Sequence, residues 1–85
     1  MNKRWDDKAW EEYLAWQAED KKTLKRINAL IKDIERNGVD KGIGKPEKLL
    51  YRDGWSRRID VKNRLLYDVD SQGYLYIISC KGHYK

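Results

Sequence analysis

Trp55-Ser56-Arg57-Arg58-Ile59, Arg64-Leu65-Leu66-Tyr67-Asp68-Val69 and Tyr74-Leu75-Tyr76-Ile77-Ile78-Ser79-Cys80 follow one another, separated only by Asp60-Val61-Lys62-Asn63 and Asp70-Ser71-Gln72-Gly73. The three runs carry β-branched and aromatic residues with a period of two, and the connections are built from turn formers. Such short connections leave no room for a crossover helix, so the three strands pair antiparallel. Alternation then sorts the middle strand, with Leu65, Tyr67 and Val69 on one side and Arg64, Leu66 and Asp68 on the other. With the first set covered, Arg64 faces an open sheet surface. One of Arg57 and Arg58 must share that side, and the hairpin register decides which. Guanidinium groups on an open sheet face suit a phosphate backbone, whose oxygens they grip bidentately.

Upstream, the period lengthens to that of a helix. Asp6 or Asp7 is placed to cap a helix whose core face is Ala9, Trp10, Tyr13, Leu14 and Gln17. Asp20 is a good N-cap for a second helix with the stripe Leu24, Ile27, Leu30, Ile31 and Ile34, and Asn37-Gly38 is its stop. Charges on that helix nearly cancel, which argues for scaffold rather than a DNA-reading element. Residues 38–48 hold three Gly and the only Pro, a long loop for so small a domain and therefore a candidate for function. A short strand at Lys3–Trp5 can complete the sheet. The expected fold is α+β, in the order β-α-α-β-β-β, with two N-terminal helices on one face of a largely antiparallel sheet and residues 1–85 as a single domain.

Composition narrows the function. The 85 residues carry 39% charged and 40% hydrophobic side chains, with net charge +5, a composition that supports one small core. The positive charge is uneven, at +1 over residues 1–36 and +4 over residues 37–85. Basic excess beside aromatics points to a polyanion such as RNA, although ordinary solubility charge has the same sign. One cysteine, Cys80, excludes an internal disulfide, and one Cys with one His falls short of a zinc ligand set. No metal or other cofactor is expected. The longest apolar run, Tyr74 to Cys80, is far too short to span a bilayer, and the acidic turn at Asp6-Asp7 is unlike a secretion signal. A cytoplasmic protein without membrane contact is the expectation.

Glu47, Arg64, His83 and Tyr84 are the residues that could do chemistry. Singly, each has an ordinary reading: Glu47 as a solvated charge, Arg64 as a sheet-surface charge, His83 as an exposed tail residue, Tyr84 as packing. Together they form a kit for cutting RNA without metal. A base takes the 2′-hydroxyl proton, a cation stabilises the phosphorane, and an acid protonates the departing 5′-oxygen. Glu47 and His83 can supply the proton transfers, Arg64 the cation, and Tyr84 a stacking or hydrogen-bonding group.

Several strings give the chain a resemblance to the YoeB (Txe) branch of the RelE/ParE toxin superfamily, found in type II toxin–antitoxin modules. They include Trp10-Glu11-Glu12-Tyr13-Leu14-Ala15-Trp16-Gln17, Lys25-Arg26-Ile27-Asn28-Ala29-Leu30, Gly44-Lys45-Pro46-Glu47, Trp55-Ser56-Arg57-Arg58-Ile59, Arg64-Leu65-Leu66-Tyr67 and His83-Tyr84. The resemblance covers essentially the whole chain and implies a RelE-like fold. It also implies ribosome-dependent cleavage of mRNA in the 30S A site, leaving 2′,3′-cyclic phosphate and 5′-hydroxyl ends. Carried over by motif, Glu47 is a general base, Arg64 contacts the scissile phosphate, His83 is a general acid and Tyr84 completes the site. Either order of acid and base fits the motif. Arg58, Arg57, Lys45 and Lys48 would hold RNA. The implied partners are an acidic, partly disordered YefM-like antitoxin and a second copy of the toxin. One departure concerns the site: family members commonly continue G-K-P-E with P-L-K, whereas this chain has Lys48-Leu49-Leu50, so a usual lysine is replaced by Leu50, with Lys48 or Arg52 as the substitute cation. Two other classes compete, a non-catalytic superfamily toxin that binds a protein such as gyrase and a plain basic RNA-binding module. Neither requires Glu47 and His83.

Overall fold

In the computed structural model, which describes residues 1–83, Asp20 divides the first part of the chain into helix α1, Asp7–Glu19, and helix α2, Lys21–Asn37. The Asp20 carboxylate accepts from the backbone N–H groups of Lys22 and Thr23, both at 3.1 Å, and so satisfies two of the free donors of the first turn of α2. Asp6 occupies the N-cap position of α1 without a side-chain cap bond. Gly38 ends α2 at φ +93°, a conformation that a Cβ would strain.

Five strands follow the order β1-β5-β4-β3-β2, where β1 is Lys3–Trp5, β2 Glu47–Lys48, β3 Trp55–Arg58, β4 Arg64–Val69 and β5 Leu75–Ser79. β1 runs parallel to β5, and every other pair is antiparallel. The expected architecture therefore holds, with one strand added. The last two residues of the expected loop, Glu47 and Lys48, pair with Ser56 and Trp55 and become β2. Two residues carry no readable periodicity, which is why the sequence gives no sign of this edge strand.

Ile27, Leu30, Ile31 and Ile34 of α2 pack with Ala9, Leu65, Tyr67, Leu75 and Ile77 in the main core. Leu65 and Tyr67 lie on the helix-covered face, as their alternation requires. The opposite face is partly roofed: Leu49 packs there against Leu66 and Ile78 in a second, smaller cluster. Two apolar side chains on that face need cover from water, and the 49–54 segment folds back to provide it, with Leu49 N–H donating to the Gly54 carbonyl at 3.0 Å.

α1 is rotated from the expected face. Trp10 and Leu14 are among the exposed residues, whereas Tyr13 and Trp16 pack on the core. Polar docking sets this orientation. Trp16 Nε1 donates to the Cys80 carbonyl at 2.9 Å, and Glu12 Oε1 accepts from Cys80 N–H at 2.9 Å and Ser79 Oγ at 3.1 Å. Trp10 turns outward against Trp5 and stacks on Tyr13.

Candidate functional site

Register places the site. Glu47 lies opposite Ser56, Ser56 opposite Leu66, and Arg58 opposite Arg64. Cross-strand partners share a face, so Glu47, Ser56, Arg58 and Arg64 all emerge on the side away from the helices. Arg64 is held rather than loose. Its Nε donates to Ser56 Oγ at 3.0 Å, its side chain is 14% exposed, and its Nη2 stands 3.8 Å from Glu47 Oε1 with no hydrogen-bond partner among the described residues. A buried guanidinium donor beside a surface depression suits an anionic oxygen. Glu47, 63% exposed, pairs with it only loosely, so a phosphate can displace the carboxylate at little cost.

The third element is the segment after β5. Besides the bonds from Glu12 and Trp16, Gly82 N–H donates to Asn63 Oδ1 at 2.8 Å and the Gly82 carbonyl accepts from Arg64 N–H at 3.1 Å. Asn63 is itself fixed by two bonds to the Asp60 carboxylate at 3.1 Å. Burial opposes ionisation of Asp60, but bonds from the Asn63 side chain and the Lys62 and Asn63 amides outweigh it and lower its pKa. The segment is thus tied to α1 on one side and to the β3–β4 turn on the other, and it delivers His83 to the rim of the Arg64 site. Glu47, Lys48, Leu50, Ser56, Arg64 and His83 line one depression of about 340 Å³ over Leu49.

The sequence-derived candidates therefore divide. Glu47, Arg64 and His83 meet in the depression, Lys48 lines it with its ammonium turned toward the Trp55 ring, and Tyr84 lies outside the described residues. Arg58 is exposed on the same face, opposite Arg64. Lys45 is exposed in the turn before β2, with its backbone at φ +51°. Arg57 corrects the expectation that it holds RNA. It pairs with Leu65, which turns it under the helices, and its side chain is 0% exposed. There it forms an ion pair with Asp33 at 2.5 Å and donates to Tyr67 Oη and to the Gly38, Lys41 and Ile43 carbonyls. Burial raises the pKa of Asp33, but bonds from Arg57, Ile43 N–H and Asn37 overcome that effect, so the net direction is downward. Arg57 is a structural hub for the 38–44 loop.

The sequence reading overlooked Ser56, Glu12 and Asn63. Ser56 was accessible from alternation, since it sits two residues before Arg58 on the same face. Glu12 and Asn63 carry no local signal because their partners are 68 and 19 residues away. Leu50 is 82% exposed at the depression's edge, and Lys48, which alternates with Glu47 along β2, has its ammonium 6.0 Å from the centroid of the Trp55 ring. Arg52 lies outside this depression. Among the described residues, no group of three or more His, Cys, Asp or Glu side chains could hold a metal ion, and no helix is long and apolar enough to cross a membrane.

Residues 5–84 match the family model described as YoeB-like toxin of bacterial type II toxin-antitoxin system. Toxin YoeB of Escherichia coli K12 is 44% identical over 82 residues, covering 94% of this chain and 95% of that protein. Toxin YoeB of a Synechocystis species is 51% identical over 79 residues, covering 91% and 90%. Among solved structures, the YoeB dimer of Staphylococcus aureus superposes with a TM-score of 0.92 at 48% identity, covering 99% of this chain and 98% of that one. The toxin in the heterotetrameric YoeB–YefM complex of the same organism superposes at 0.90 with 46% identity and the same coverage. With the family model and these relatives spanning almost the whole chain, the protein belongs to the YoeB-like toxins of bacterial type II toxin–antitoxin systems.

Proposed function

We propose that this toxin is a ribosome-dependent mRNA endoribonuclease that cuts in the 30S A site by 2′-hydroxyl attack without a metal ion. The observation that carries the reading is the convergence of Glu47, Arg64 and His83 on one depression, with an Arg64 donor that has no hydrogen-bond partner among the described residues. Glu47 takes the 2′-hydroxyl proton as the O2′–P bond forms. Arg64 Nη2 neutralises charge on the phosphorane oxygens. His83, as imidazolium, gives its proton to O5′ as the P–O5′ bond breaks, leaving a 2′,3′-cyclic phosphate and a 5′-hydroxyl. Solvent then returns the proton from Glu47 to His83. Arg58 holds a flanking phosphate, Lys48 and Lys45 add positive charge at the edge of the site, and Tyr84 completes the constellation as the family motif implies. As the family resemblance implies, the ribosome presents the message in a cleavable geometry.

Translating ribosomes as substrate put the toxin in the cytoplasm. A YefM-like acidic antitoxin and a toxin homodimer follow from the complexes formed by the staphylococcal relatives. The deciding experiment is primer extension on an mRNA in a reconstituted translation reaction, with and without ribosomes, comparing wild type with Glu47→Gln and His83→Ala. Ribosome-dependent breaks are expected with wild type alone. Equal cleavage by both variants would overturn the mechanism, and an intact message with wild type would favour a target-binding toxin.

A further inference from the structure

A second depression, of about 360 Å³, lies on the other side of His83. His83 lines both depressions, whereas Glu47 and Arg64 line only the first. We propose that this second depression is the subsite for the nucleotide on the leaving-group side of the cut, taking its base on Leu66 and Ile78 and its 3′-phosphate on Arg52, Lys8 and Lys81. The inference rests on the cleavage reading, in which His83 protonates O5′.

The placement follows from the geometry of displacement at phosphorus. Attacking and leaving oxygens stand roughly in line on opposite faces of the reacting phosphoryl group. The base belongs beside the upstream ribose, and the acid belongs beside O5′ of the downstream one. A hollow that contains the acid but not the base therefore receives the downstream nucleotide. Its lining fits that ligand. Leu66 and Ile78, each 8% exposed, give an apolar floor, and Arg52, Lys8 and Lys81 are exposed cations around it. Lys81 is kept near the rim by the Trp16 ring, whose centroid is 5.6 Å from its ammonium. Asp6 is the one carboxylate on the rim among the described residues. It would repel a phosphate but accept from a base amino group, which orients the base toward Asp6 and the phosphate toward the cations. Arg52 thereby serves the RNA beyond the first depression and does not replace the lysine lost at Leu50.

The test is an NMR titration of the isotope-labelled full chain with two inert probes at millimolar concentration. One is a nucleoside 3′-phosphate. The other is a dinucleotide with a 3′-terminal phosphate, whose first sugar lacks the 2′-hydroxyl. The mononucleotide should shift signals of Glu47, Ser56 and Arg64, and the dinucleotide should additionally shift Leu66, Ile78 and Lys81. Arg52→Ala, on an exposed loop, should weaken dinucleotide binding roughly fivefold, as for one exposed charge-assisted contact, and leave the mononucleotide unaffected. Dinucleotide shifts confined to the first depression, with equal affinity in Arg52→Ala, would overturn the subsite and leave the cleavage reading standing. Absence of shifts at Glu47 and Arg64 with either probe would overturn both.

Discussion

Replacing Arg57 with Met tests the assignment of that residue to the interior. The guanidinium makes five hydrogen bonds, at 2.5 Å to Asp33, 2.6 Å to the Lys41 carbonyl, 2.7 Å to the Gly38 carbonyl, 2.9 Å to Tyr67 Oη and 3.1 Å to the Ile43 carbonyl. Breaking a buried ion pair from one side costs about 3–5 kcal/mol. Lys41 and Ile43 lie on an exposed loop where water can reach their carbonyls, and Asp33 keeps bonds from Ile43 N–H at 3.0 Å and Asn37 at 2.8 Å. The expected loss is therefore at the lower end, about 3 kcal/mol, a large part of the stability of a domain this size. Urea denaturation followed by fluorescence of the four Trp residues reads it directly. The loss should also depend on pH. In wild type the Asp33 pKa is lowered, so its stabilisation is present above the unfolded carboxylate range and disappears as pH falls through the folded pKa. Without Arg57, Asp33 loses two of the effects that lower its pKa, so the variant takes up a proton at a higher pH than wild type does. The stability gap should therefore narrow as pH falls below the ordinary carboxylate value of 3.8. A gap below about 1 kcal/mol at pH 7, or one unchanged between pH 7 and about pH 3, would refute the buried-hub reading.

Gly42 and Gly73 offer a matched contrast. Both have positive φ, but a Cβ at Gly42 would collide with the Asp33 carboxylate, while one at Gly73 meets nothing within 4 Å. Gly42→Ala should cost at least about 2 kcal/mol in urea and Gly73→Ala about 1 kcal/mol, and equal costs would count against the hub. Ser56→Ala frees Arg64 Nε and should lower single-turnover cleavage about tenfold with little change in Tm; unchanged cleavage would remove Ser56 from the positioning of Arg64. Cys80 is fully buried, and its thiol is pushed up to about 12, first by burial and then by the Glu12 charge. A thiol reagent at pH 8 should label it slowly in the native protein and rapidly in urea, and fast native labelling would contradict its burial.

Much of the fold was legible because it is local. Asp20 as a cap, the Ile27–Ile34 stripe, Gly38 as a stop and the alternation of Leu65, Leu66 and Tyr67 each depend on residues within a turn or two. The face of α1 was misread for the converse reason. Trp10 and Leu14 satisfy a helical period as well as Tyr13 and Trp16 do, and only the distant Cys80 backbone, through Glu12 and Trp16, decides which face docks. Two-residue β2 was invisible because pairing with β3, rather than any pattern of its own, makes it a strand.

For the site, the sequence by itself determined the inventory: a carboxylate in a Gly/Pro loop, an arginine opening a central strand and a histidine after the last one, in a chain whose strings mark a toxin family. Tertiary structure decided which side chains share a face and which are buried. Arg57 and Arg58 are adjacent and chemically identical, yet the β3–β4 register sends Arg57 into the core beside Asp33 and leaves Arg58 facing outward with Arg64. A strand puts neighbours on opposite faces. Which face is buried depends on pairing across the hairpin and on a carboxylate 24 residues upstream, and no local pattern carries that information.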